Sequence, residues 1–129
     1  MRILGIDYGE KRVGLALSDE SQTFARELAI LSPKDFFNQI NQIIHENQVD
    51  QIVLGWPLNM NGEETKKTKE VAEFKIKLEQ MTNLAVHTAD ERLSSVMAEK
   101  IVGKKKDLDS LAAQILLQNW LNSSRSVDS

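Results

Sequence analysis

Residues 2–7 (RILGID) form an apolar run that ends on an acid. Tyr8-Gly9 interrupts it, and residues 12–18 (RVGLALS) resume a similar pattern. Two such runs with a short turn between them predict a hairpin of adjacent strands. A weaker third strand is expected over 27–31. Ser32-Pro33-Lys34-Asp35 follows, with serine at the N-cap, proline at the first helical position and an acid in the first turn, which together mark a helix start. Phe36, Phe37, Ile40, Ile43 and Ile44 then recur at helical spacing up to Asn47. Residues 51–55 (QIVLG) are too few for a helix and read as a buried strand stopped by Trp56-Pro57.

Residues 59–62 read as a turn. A second helix is expected from Glu63, with Val71, Phe74, Leu78 and Met81 on one face and Lys66, Lys67, Lys69 and Lys75 off it. Residues 84–88 suggest a further strand, a third helix should run from about Arg92 to a C-cap at Gly103, and a last helix should cover 108–121. The order β-β-β-α-β-α-β-α-α predicts an α/β fold. Its mixed sheet of five strands has the first three antiparallel and the later two reached by helical crossovers. In such sheets the site lies at the carboxyl ends of the central strands.

Composition narrows the class. At 129 residues, 41% hydrophobic and 27% charged, the chain suits one domain over 1–122, with a polar tail at 123–129 expected to be flexible. There is no cysteine, which excludes disulfides and thiolate metal sites. No signal-like apolar segment opens the chain, and no apolar run approaches the roughly 18 residues of a membrane span, so a cytoplasmic protein is expected. Net charge is −3, with 19 acids against 16 lysines and arginines. A phosphate-bearing partner must therefore be met by a local patch.

Asp7 stands at the carboxyl end of the strand expected at the centre of the sheet. Glu91, in TADERLSS, follows the strand at 84–88, and Asp109 falls in the first turn of the last helix. Ala112 and Ala113, three and four residues past Asp109, put small side chains on the acid's face and would let that helix lie close to the sheet. Converging carboxylates with no cysteine and no paired histidines are the hard-ligand set that suits Mg²⁺ or Mn²⁺. Each acid also has a simpler reading. Asp7 could open an Asx-turn, Asp107 and Asp90 could be N-caps, and Asp109 could merely complement a helix dipole. His45 and His87 are isolated and read as structural.

ILGIDYGEKRVGLALSD, GWPLNMNGEE, DERLSS and DSLAAQILLQNWL, in this order and spacing, resemble the YqgF (RuvX) family of Holliday junction resolvase-like proteins from Met1 to about Leu121. The resemblance implies a ribonuclease H-like fold and a metal-dependent nuclease of the bacterial cytoplasm that matures the 5′ end of pre-16S rRNA. It also implies that Asp7, Glu91 and Asp109 form the acidic, metal-holding catalytic site. Whether one metal or two bind together stays open, because a fourth acid is not evident.

Basic residues lie beside each acid in sequence: Lys11 and Arg12 after Asp7, Arg92 after Glu91, and Lys104, Lys105 and Lys106 before Asp109. They read either as a phosphate track or, for the triple lysine, as a solvated loop. Tyr8 and Trp56 could stack on unpaired bases, with core packing the alternative for Trp56. Expected partners are structured precursor rRNA or, for a junction resolvase, branched DNA. A third reading is a non-catalytic module docking on ribosome precursors or the transcription machinery. Asp7, Gly9 and Gly14 also match the phosphate-binding hairpin of sugar kinases and actin-like ATPases, but those proteins close two such domains over ATP and this chain holds one.

Overall fold

The computed structural model describes residues 1–59, 61–90 and 108–127, with side chains omitted at 108–109 and 124–127. Its elements are β1 (Arg2–Tyr8), β2 (Val13–Ser18), β3 (Ala25–Leu31), α1 (Pro33–Asn47), β4 (Val49–Trp56), α2 (Lys66–Thr82), β5 (Ala85–Asp90) and α3 (Leu108–Val127). The strands make one sheet in the order β3-β2-β1-β4-β5. β2 is antiparallel to both β1 and β3, whereas β1, β4 and β5 are mutually parallel and so end at one edge. The predicted antiparallel start and later crossovers are thus as observed. Among the described residues no helix is long and apolar enough to cross a membrane.

Alternation along the strands builds two unequal faces. Leu4, Ile6, Val13, Leu15, Leu17, Ile52 and Leu54 turn one way and pack with Phe36 and Ile40 of α1 and Val71, Phe74 and Leu78 of α2. Ile3, Ala16 and Val53 turn the other way and meet Ala113, Leu117 and Leu121 of α3. The second face is thin because Gly5 and two alanines replace branched side chains. A Cβ on Gly5 would stand 2.9 Å from Leu117 Cβ and 3.3 Å from the Ala113 carbonyl, so the missing side chain is what lets α3 lie on β1.

α1 begins as predicted, with the Ser32 hydroxyl accepting the Asp35 N–H at 3.1 Å. α2 begins later than the expected Glu63. The Asn59 side-chain oxygen accepts the N–H groups of Asn61 and Glu63, both at 2.9 Å, and Leu58 bridges Glu64, which closes a separate loop. Thr65 then caps α2, donating its N–H to the Thr68 hydroxyl at 2.9 Å, and that hydroxyl donates to the Pro57 carbonyl. The predicted helix over 92–103 lies outside the described residues. The last helix continues to Val127 rather than ending at Leu121, so the backbone of 123–127 is helical.

The direction of α3 follows from its polar contacts. Ser110 Oγ donates to Glu27 at 2.6 Å, Gln114 donates to the Ala25 carbonyl at 3.1 Å, and Gln118 donates to the Thr23 carbonyl at 2.9 Å. The Gln118 oxygen also accepts the Ala25 N–H at 2.9 Å, so one side-chain amide acts as a short strand on the open edge of β3. Moving forward along α3 means moving backward along β3. Since β3 and β1 point the same way, the amino end of α3 lies at the carboxyl edge of β1, β4 and β5.

Candidate active site

Asp7 occupies the penultimate position of the central strand, opposite Gly14 of β2, and is half-buried. It shares a face with Ile3 and Gly5 by alternation and therefore faces the α3 side of the sheet. The last registered β1–β4 pair is Ile6 with Leu54, so the next step sets Gly55 beside Asp7, and Gly55 pairs with Ala89. At this level the α3 face carries Gly14, Asp7, Gly55 and Ala89 in a row across four strands. Asp7 is the carboxylate of this row, and Ile30 of β3 extends the row beyond Gly14.

Asp109 lies in the first turn of α3 and repeats at four-residue spacing with Ala113, Leu117 and Leu121, all three of which are buried against the sheet. That stripe and the helix direction bring the Asp109 backbone to the same edge as Asp7. The side chain of Asp109 is outside the described set, as are Glu91, Arg92, Lys104, Lys105 and Lys106. Among the described residues no three His, Cys, Asp or Glu side chains form a metal-holding group. Asp90, the last residue of β5, pairs with Trp56 and alternates with Val86 of the main core, which puts it on the face away from Asp7. His87 stacks on Trp120 at 5.1 Å between ring centroids, a structural contact as expected. A hard divalent cation fits the donor chemistry of the Asp7 carboxylate.

Lys11 and Arg12 are exposed in the turn joining β1 to β2. The turn is tight because a Cβ at Gly9 would meet the Arg12 carbonyl at 2.8 Å, so glycine is required there. Tyr8 differs from its expected base-stacking role. Its ring packs on Phe74 at 4.5 Å on the face opposite Asp7, and Trp56 likewise packs against the main core. Burial, and after it Glu70, Glu10 and Glu73, push the Tyr8 phenol above its ordinary range, so it stays neutral and is no base. The row of glycines escaped the sequence reading. Its only signal was a glycine inside each of two apolar runs, and its meaning depends on register across four strands.

A mixed sheet in this order, with an acid ending the central strand and a helix descending onto it, defines the ribonuclease H-like resolvase fold. The solved structure of Thermus thermophilus RuvC in complex with a Holliday junction substrate superposes with a TM-score of 0.63 at 13% identity, covering 97% of this chain and 96% of that one. The fowlpox virus resolvase gives 0.57 at 16% identity, covering 96% and 99%. Sequence similarity is more specific. The family model described as RuvX, Holliday junction resolvase, matches residues 1–123. A protein of Maridesulfovibrio salexigens named as a pre-16S rRNA nuclease is 43% identical over 94% of this chain and 98% of its own. One of the same name from Thermoanaerobacter pseudethanolicus is 37% identical over 97% and 99%. The chain belongs to the RuvX family.

Proposed function

We propose that this chain is a metal-dependent nuclease that hydrolyses phosphodiester bonds in the 5′ leader of pre-16S rRNA during ribosome biogenesis in the cytoplasm. The observation that carries the reading is Asp7, a carboxylate at the carboxyl edge of the central strand, on the face and at the edge where α3 arrives with the Asp109 backbone. Family membership and near-full-length similarity to proteins named for this activity support it.

In this mechanism Asp7, Glu91 and Asp109 would hold Mg²⁺ or Mn²⁺, which would supply water activation and charge stabilisation for phosphodiester hydrolysis. The carboxylates act as ligands and positioners, not as nucleophiles. Gly14 and Gly55 leave the scissile phosphate free to approach Asp7 from either side. Lys11, Arg12, Arg92 and Lys104, Lys105 and Lys106 offset the repulsion between an acidic site and a polyanion. Tyr8, held neutral, ties the β1–β2 turn to α2 and keeps Asp7 in place.

The test is cleavage of a pre-16S rRNA leader fragment, with four-way DNA as a second substrate. Cleavage of the RNA should require Mn²⁺ or Mg²⁺, stop with EDTA and vanish in Asp7→Asn. Full activity in EDTA refutes the mechanism, and exclusive cutting of the four-way DNA makes the chain a junction resolvase.

A further inference from the structure

At the sheet edge where β1 ends, but on the α2 side rather than the Asp7 side, the β1–β2 turn and the start of α2 enclose a cleft of about 520 Å³, of which the mechanism above uses only Lys11. Gly9, Glu10 and Lys11 line one wall, and Lys66, Lys67 and Glu70 the other. The three lysines are exposed. The walls are not two loose segments. The Tyr8 ring packs on Phe74 of α2, so the residue between Asp7 and Gly9 fixes the turn against the helix. The cleft therefore keeps a constant position relative to Asp7, starting two residues along the same backbone.

The charges are distributed unevenly. Glu10, Glu70 and Glu73 gather around the Tyr8 phenol. Lys66 and Lys67 occupy the first turn of α2, which contains no acid. Cations there oppose the helix dipole, so local fold energetics do not favour them. Farther along the same helix Lys75 pairs with Glu79 at 3.0 Å, and Lys77 lies 4.0 Å over the Phe37 ring, so those two lysines serve as a comparison away from the cleft.

We infer that Lys11, Lys66 and Lys67 hold the phosphodiester backbone of a single-stranded RNA flank leading to Asp7; this rests on the nuclease reading above. Lysines on two walls can contact successive phosphates, while Glu10 and Glu70 in the same walls repel phosphate and limit how deeply the strand enters. With a net charge of −3 on the whole chain, such a local patch decides where a polyanion lands.

The experiment measures binding of a short oligouridylate in EDTA over a salt series, with melts of every protein. Lys66→Ala/Lys67→Ala should reduce the slope of log affinity against log salt by about 1.4 units if both lysines touch single-stranded phosphates. Its melt should equal or exceed that of wild type. Lys75→Ala/Lys77→Ala, which removes the same charge farther along α2, should leave the slope unchanged. In Mn²⁺ the first variant should raise KM for the leader fragment and keep kcat. An unchanged slope in Lys66→Ala/Lys67→Ala, or equal losses in both variants, overturns the inference. If wild type cleaves the leader while the slope is unchanged, this inference alone fails. If the slope falls as expected while wild type cleaves nothing, the nuclease reading alone fails.

Discussion

The two faces of this sheet use the same strands for opposite purposes. Toward α1 and α2 the strands present Leu4, Ile6, Leu15, Leu17, Ile52 and Leu54, all fully buried, and these supply most of the core. Toward α3 they present Gly5, Gly14, Ala16, Gly55 and Ala89, with Ile3 and Val53 as the larger buried apolar residues and Ile30 half-buried beside Gly14. Bulk on one side provides the burial that stabilises the fold. Its absence on the other lets α3 approach the backbone, and Asp7 sits on that side. Alternation lets a single strand do both, since consecutive residues serve different faces.

The largest effect on stability should come from the thick face. Leu54→Ala leaves a cavity in a fully buried site and should cost about 2–5 kcal/mol in urea unfolding, while the kcat of the folded fraction is kept. Loss of kcat in proportion to stability would mean that the two faces are not separable. The converse change is Gly5→Ala on the thin face. Its new methyl meets Leu117 and the Ala113 carbonyl, which costs about 1–3 kcal/mol and moves α3 away from β1. Cleavage should fall at least about tenfold, more than the stability loss explains, because the first turn of α3 shifts relative to Asp7.

What the sequence made legible follows the same division. Large residues at period two and at helical spacing announced the thick face, so β1, α1 and β4 were placed nearly as found. α2 was started too early because the Asn59 side chain closes its own turn through Glu63, a local competition that periodicity does not register. The last helix was ended too early on polar composition, although no glycine or proline follows Asp109 to stop it. Asp7 was legible as an acid ending an apolar run. The row Gly14–Asp7–Gly55–Ala89 was not, because neighbours across strands depend on register. The lysine cleft was hidden for a related reason, since it joins residues separated by a crossover.

The smallest effect belongs to the opposite edge, where function is not expected. The Asp19 carboxylate accepts the N–H groups of Thr23 and Phe24 at 2.8 and 3.2 Å and the Ser21 hydroxyl at 2.8 Å. These bonds, the Thr23 N–H foremost, hold its pKa below the ordinary value. Because the folded pKa is the lower one, the stabilisation is present above about pH 4 and is lost as pH falls through the folded value. Melts of wild type and Asp19→Asn should therefore differ slightly at neutral pH and converge in acid, with cleavage unaffected. A difference that grows in acid would contradict this.

The central claim is that Asp7 is a metal-holding carboxylate on the sheet face that α3 covers, and paired thermal melts of wild type and Asp7→Asn with and without Mn²⁺ test it most directly. Carboxylates gathered at one edge repel one another without metal, so Asp7→Asn should melt at or above the wild-type temperature in EDTA. Mn²⁺ at a hundred times its dissociation constant should stabilise wild type by about 2.7 kcal/mol and the variant far less. If Asp7→Asn instead melts well below wild type in EDTA and Mn²⁺ shifts both proteins equally, Asp7 is a structural turn residue and the account is wrong.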